Sequence, residues 1–265
     1  MVISDIITED IDELKELQPE GWPDITPNMN FYIQSSFCKP IKILSNRRIV
    51  GIGAAIFHTN SAWLGHIIVH KDFRNQGIGA FVTKSLLQMT EKARYHTVSL
   101  IATDMGEPVY RKLGFQKTNE YHFYKKNSPA TGYSASDHIQ NGFSYSDQIL
   151  SLDRLAAGEK RHLLLKGHLP DSKVYIDEGK VKGFYLPGLG DGLIVAQEEN
   201  AGLELLKLHL NTKSTCVLPE ENYAAIEHLR SDGFEYVKQG ARMSIGRTLL
   251  FQPKMLYSRI AGNVG

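Results

Sequence analysis

The apolar positions of this chain change period often enough to mark out its elements. Residues 63–69 form a short apolar run rich in β-branched side chains, which predicts a buried strand. Ile78, Val82, Leu86 and Met89 then recur at spacings of four, four and three, the stripe of a helix packed on a sheet. Upstream, 2–7 reads as a strand, and Thr8 or Asp10 can cap a helix through Leu17 that the Pro19 to Asp24 stretch breaks. A second short helix is predicted over 27–37, then a hairpin of 41–44 and 49–57 turned at Ser45-Asn46-Arg47-Arg48. Downstream come a strand at 97–102, a helix at 108–113 and an alternating strand at 115–125.

The second half repeats this order in weaker form. Strands at 174–176 and 181–186 turn at Glu178-Gly179, an apolar strand at 193–196 leads into a helix at 201–210, and 215–218 precedes a helix at 221–230. Residues 127–136 are polar, small and rich in helix breakers, the composition of an interdomain linker. At 265 residues the chain is long enough for two cores, and the pattern is that of an α/β protein.

Between the 63–69 strand and its helix lies Arg74-Asn75-Gln76-Gly77-Ile78-Gly79-Ala80, whose glycines let backbone approach a ligand closely. A helix N-terminus carries partial positive charge, yet no acid stands between Asp72 and Glu91, and Arg74 adds more positive charge. An external anion resolves the imbalance. Free N–H groups from about Gln76 to Ala80 would cradle a phosphate or pyrophosphate.

Residues 69–80, Val-His-Lys-Asp-Phe-Arg-Asn-Gln-Gly-Ile-Gly-Ala, resemble the acetyl-CoA signature of the GNAT (GCN5-related) N-acetyltransferases, a hydrophobic strand followed by Arg/Gln-x-x-Gly-x-Gly/Ala. The match rests on Arg74, Gly77 and Gly79, and Lys71 stands where many members have proline. Residues 100–115 resemble the family's strand-then-helix segment ending in Tyr-x-x-x-Gly-Phe, with Ala-Thr-x-x-Gly-x-Pro-x-Tyr wording similar to that of the two-domain YitH-like branch. The resemblance implies two tandem GNAT-like (acyl-CoA N-acyltransferase) domains of mixed, mostly antiparallel sheets flanked by helices. Their expected bounds are 1–127 with the acetyl-CoA site, a linker at 128–136, and a degenerate copy at 137–265. In that copy Gly233-Phe234 stands for Gly114-Phe115, Leu229 for Tyr110, and Gln197-Glu198-Glu199-Asn200 for the glycine loop, with carboxylates where phosphates would sit.

By resemblance the cofactor would be held by Ile67, Ile68, Val69, Arg74, Asn75, Gln76, Gly77, Ile78, Gly79, Ala80, Thr103 and Tyr110, and the acceptor amine would meet Trp22 and Asp24. A loop tryptophan packing on the core is the plainer reading of Trp22. Attack of an amine on a thioester requires a neutral amine, a donor for the carbonyl oxygen and a proton for the departing thiolate. A strand splaying from its neighbour beside Ile67, Ile68 and Val69 would free backbone groups for the pantetheine arm. Tyr110 is the candidate acid, its phenol near pKa ~10, unless it only packs on the sheet or cofactor. Asp104, Glu107 and His66 are the base candidates. Asp104 and Glu107 before Pro108 also fit a capping arrangement, and Thr103 is either a cofactor contact or the cap itself. His66 and His70 would stand about 13 Å apart along a strand, too far to share a metal, and no metal is expected.

Thirty basic against twenty-nine acidic residues give a net charge of +1, with no basic run, which disfavours nucleic acid or an anionic membrane as partner. Cys38 and Cys216 are far apart and form no C-x-x-C, so they read as reduced core thiols. The acidic, amphipathic start is unlike a signal peptide, and a cytoplasmic protein is expected. Two other readings of the glycine loop stay open. One is a CoA-binding regulator without turnover, and the other is an NAD(P) or ATP site.

Overall fold

A computed structural model describes residues 1–130 and 132–265; Thr131, inside the expected linker, lies outside them. The chain folds as two compact units. The first comprises 1–116, 243–247 and 262–265, and the second 117–242 and 248–261. The strand expected to close the first domain is therefore counted with the second, and two late segments return to the first.

In the first unit β1 (Val2–Asp5) is followed by 3-10 turns around the short helix α1 (Ile11–Leu14) and then by α2 (Thr26–Gln34). The opening turn is capped by Asp10 Oδ2, which accepts the Ile7 N–H at 2.8 Å. β2 (Cys38–Ser45) and β3 (Arg48–Phe57) form the expected hairpin, its turn made by Asn46 and Arg47 at φ 51° and 66°. β4 (Ala62–Val69) pairs antiparallel with β3, α3 (Ile78–Lys92) follows, and β5 (Thr97–Ala102) lies parallel to β4. α4 (Glu107–Lys112) ends the run. The helical stripe of α3 falls where the spacing predicts. Ile78, Val82 and Leu86 are buried, each contributing about 1.5–3 kcal/mol by leaving water. Gly51 and Gly53 explain how closely this helix docks on β3, because a Cβ at Gly53 would stand 2.7 Å from Val82 Cγ1.

The second unit begins within β6 (Gln116–Lys125) and continues with β7 (Ile139–Asn141), α5 (Ser146–Ala157), α6 (His162–Leu165), β8 (Lys173–Asp177), β9 (Lys180–Leu186), β10 (Leu193–Ala196), α7 (Glu199–Leu210), β11 (Thr215–Pro219), α8 (Tyr223–Ser231), β12 (Glu235–Gly246) and β13 (Leu256–Ser258). A five-stranded sheet runs β13-β10-β9-β8-β7, and β11 pairs antiparallel with β6. The last residues of β12 lie beside β5 in the first unit, where the Ser244 and Ser99 hydroxyls meet at 2.9 Å. The stretch read as a linker is instead fastened down. Ala130 is buried in this unit's core, Tyr133 exchanges two bonds with the Asn211 side chain, and its hydroxyl donates to Asp232 at 2.9 Å. Composition predicts a free tether there because it does not register one half-buried aromatic anchor. Among the described residues no helix is long and apolar enough to cross a membrane.

Candidate active site

The loop between β4 and α3 has the form the glycines predict. His70, buried, starts it: its Nε2 accepts from Arg48 at 2.9 Å and its Nδ1 lies 3.3 Å from the Asp72 nitrogen. Asn75 and Gly77 then take left-handed conformations, φ 60° and 79°. This alternation turns successive N–H groups toward one concavity. Among the described residues no group accepts an N–H from Asn75 to Ala80; the first helical bond of this end runs from Phe81 N–H to Gly77 O at 3.0 Å. No acid lies in the first turn of α3. Arg74 is exposed and tethered only through Nε to Val69 O at 3.4 Å, and a Cβ at Gly77 would meet nothing within 4 Å. The bend is thus open, uncompensated and suited to a diphosphate.

Beside it, β4 pairs with β5 only at Ala62↔Val98 and Trp63↔Ser99, so the strands part from Leu64 onward, ahead of the Ile67, Ile68 and Val69 segment. On its other edge the register slips between Ala54↔Gly65 and Ile52↔Ile68, three steps of β4 against two of β3. The extra residue is His66, at φ 50°. His66 and His70 therefore do not share one strand face as the sequence spacing suggests.

The bulge gathers residues that the sequence scatters. Tyr32, from α2 and fully buried, places its hydroxyl 2.8 Å from His66 Nδ1, and the Asn263 side-chain amide donates to that hydroxyl. Trp22 stands with its ring centroid 6.3 Å from that of His66. Gly65 is required here, because a Cβ would fall 2.4 Å from Asn263 Cβ. Burial lowers His66 to a pKa of about 4, so its ring is neutral. Tyr32 and Asn263 went unread, since nothing in the spacing of 32, 66 and 263 links them.

The structure treats the other candidates unequally. Tyr110 is buried on α4, its ring edge-on to Phe115 at 6.0 Å, and burial raises its pKa to about 12. Glu107 accepts from Arg111 Nε and Nη2 at 2.8 and 2.6 Å, an i,i+4 ion pair along α4. Asp104 is exposed in the preceding turn. Thr103 opens the turn before α4, whose N-cap is Gly106: its carbonyl accepts from Gly106 and Glu107 at 2.9 Å and its hydroxyl from Gly106 at 3.3 Å. Asp24 Oδ1 accepts the Thr26 N–H and hydroxyl, both at 2.9 Å, and these bonds hold its carboxyl below the usual range. It opens α2 and is not drawn to the bulge.

Among the described residues one group offers clustered metal-ligand atoms, Glu120, His122 and Glu220 in the second unit, within 4.8 Å of one another. Glu120 is already neutralised by the Lys117 ammonium.

Residues 13–136 and, separately, 149–258 match families described as acetyltransferase (GNAT) domains. The chain belongs to the GNAT acetyltransferase superfamily, as two tandem domains. A supposed acetyltransferase from Pyrococcus horikoshii shares the fold along 100% of this chain and 95% of its own, at TM-score 0.83 and 20% identity. GCN5-related N-acetyltransferases from Anabaena variabilis and Kribbella flavida superpose at TM-scores 0.57 and 0.55 and 11% and 12% identity. Each pairing covers 92% of this chain, and 72% and 70% of theirs. No protein of curated function matches the sequence.

Proposed function

We propose that the protein transfers an acetyl group from acetyl-CoA to a primary amine, by direct attack in a ternary complex at the first domain. The observation that carries this reading is the row of undonated N–H groups from Asn75 to Ala80 next to a strand edge left unpaired after Trp63. The loop would hold the pyrophosphate with main-chain amides and Arg74, and the free edge of β4 would bind the pantetheine amides. The amine nitrogen attacks the thioester carbon, the carbon–sulfur bond breaks, and the Tyr110 hydroxyl gives its proton to the departing thiolate. Burial keeps that phenol protonated at neutral pH, and the same desolvation raises the thiolate's proton affinity, so the two stay matched. The amine sheds its own proton to water, and water returns one to the Tyr110 oxygen.

Calorimetry with coenzyme A tests the cradle. Gly77→Val forces a β-branched residue to φ 79° in a place with room for its side chain, so the fold should survive while the loop rearranges. Affinity for CoA is expected to fall by about tenfold or more, equivalent to about 1.4 kcal/mol. A wild-type protein that gives no heat with CoA, or a variant that binds as well as wild type, removes the reading.

A further inference from the structure

Resting on the acetyl-transfer reading above, we propose that His66 serves as a fixed hydrogen-bond donor to the thioester carbonyl oxygen through Nε2–H, and not as a base. The assignment follows from counting protons. Asn263 donates its amide N–H to the Tyr32 oxygen. A phenol has a single proton, and the next group along is His66 Nδ1 at 2.8 Å, so the Tyr32 O–H donates there. Nδ1 then accepts, and the one proton of the neutral imidazole sits on Nε2.

The second unit holds the same pair with its circuit closed. His209 Nε2 stands 3.3 Å from the Thr215 carbonyl, which can only accept, so the proton is on Nε2 and Nδ1 accepts from the Tyr185 hydroxyl at 3.1 Å. Burial lowers both histidines to about 4, too low for either to take a proton from an alkylammonium. The difference is at the far nitrogen. His209 is fully buried and spends its N–H on a carbonyl of the protein, whereas His66 is half-buried and, among the described residues, no group meets its Nε2. A carbonyl of a bound molecule would complete the circuit at His66.

The backbone supports that role. His66 occupies the left-handed region at φ 50° in the bulge of β4, beyond the point where β5 leaves the strand. A non-glycine residue keeps such a conformation only where its surroundings hold it there, and here the Tyr32 hydroxyl and the Asn263 contact on Gly65 do so. The donor is thereby set beside the edge proposed to carry the pantetheine arm. A charged group would repel an incoming ammonium, and a neutral donor does not.

Two measurements decide the matter. Long-range nitrogen–proton NMR of the wild-type protein at neutral pH should give the neutral Nε2–H pattern for His66, lost to a tautomer mixture in Tyr32→Phe. An Nδ1–H ring or an imidazolium in the wild type overturns the proposal. Calorimetry with acetyl-CoA and with CoA, which lacks the carbonyl, tests the target oxygen. His66→Phe should weaken acetyl-CoA by about two- to tenfold and leave CoA unchanged, and His66→Gln, which donates but cannot act as a base, should restore most of the loss. Equal weakening of both ligands, or of neither, overturns the donor role. If the wild type binds neither ligand, the acetyl-transfer reading fails and takes the donor role with it, while the NMR pattern still reports the tautomer by itself.

Discussion

The loop after β4 and the loop after β10 occupy the same place in two copies of one fold, and they have opposite characters. The first is long, holds two left-handed residues and leaves its N–H groups undonated. The second is two residues long and closed upon itself. Gln197 N–H bonds Lys182 O at 2.9 Å, the Glu198 carboxylate takes the Lys182 ammonium at 2.5 Å, and the Asn200 side chain donates to the Tyr175 hydroxyl at 2.9 Å. The strands differ as well. After Trp63 β4 keeps β3 on one edge and loses β5 on the other, but β10 is paired on one side by β9 and on the other by β13. Tyr257 of β13 also presses on α7 at Gly202, where a Cβ would lie 2.1 Å from its ring. On the proposed reading, what would separate the two copies is less the fold than whether one strand edge is left open.

The two copies agree elsewhere. Phe115 N–H bonds Tyr110 O at 3.1 Å and Phe234 N–H bonds Leu229 O at 2.9 Å, each after a glycine at positive φ, so the caps are equivalent while Leu229 stands where the first copy has Tyr110.

Substitutions can press on this contrast. The largest effect is expected from Tyr110→Phe, which should lower turnover of acetyl-CoA with an amine panel by about 10²–10⁴-fold while CoA affinity stays within about twofold; a variant that turns over normally would strip Tyr110 of its proton role. Leu229→Tyr should cost about 1–3 kcal/mol in a denaturant titration, since Leu229 is wholly buried and a phenol overfills its site. A neutral outcome would mean that the second copy keeps space for an acid. Gly114→Ala and Gly233→Ala should each lose about 1–2 kcal/mol, because both caps need a left-handed residue. Gly114 should lose slightly more, its Cβ meeting Ile245 at 3.3 Å. The smallest effect is the sharpest test of the strand argument. Removing both charges with Glu198→Gln and Glu199→Gln should create no additional CoA site by calorimetry, and a second binding event would show that charge alone had closed that copy.

Much of the first unit can be read from its residues. The 63–69 run, the Ile78 stripe and the two glycines in the bend make local signals, and local signals survive folding intact. Four strands and two helices of the second half were legible, yet β7, α5, α6, β12 and β13 went unpredicted. α5 carries the buried ion pair of Asp153 with Arg161, both under 6% exposed, and polar residues on a buried face dilute the apolar stripe that marks a helix. β12 begins with exposed residues such as Tyr236 and Val237, is buried over 240–243 and comes out again by Gly246, so no single alternation spans it. The candidate site divides the same way. Its phosphate bend is one contiguous motif, whereas the Tyr32, His66 and Asn263 chain joins residues up to 231 positions apart and leaves no periodic trace.

The return of 262–265 to the first unit has a consequence for how the molecule is made. A nascent chain that has emerged only as far as its first 127 residues would carry the whole glycine bend. It would lack both Ser244, which faces Ser99 of β5, and the Asn263 amide that bonds Tyr32. Residues made long after the glycine bend therefore complete the surroundings of His66.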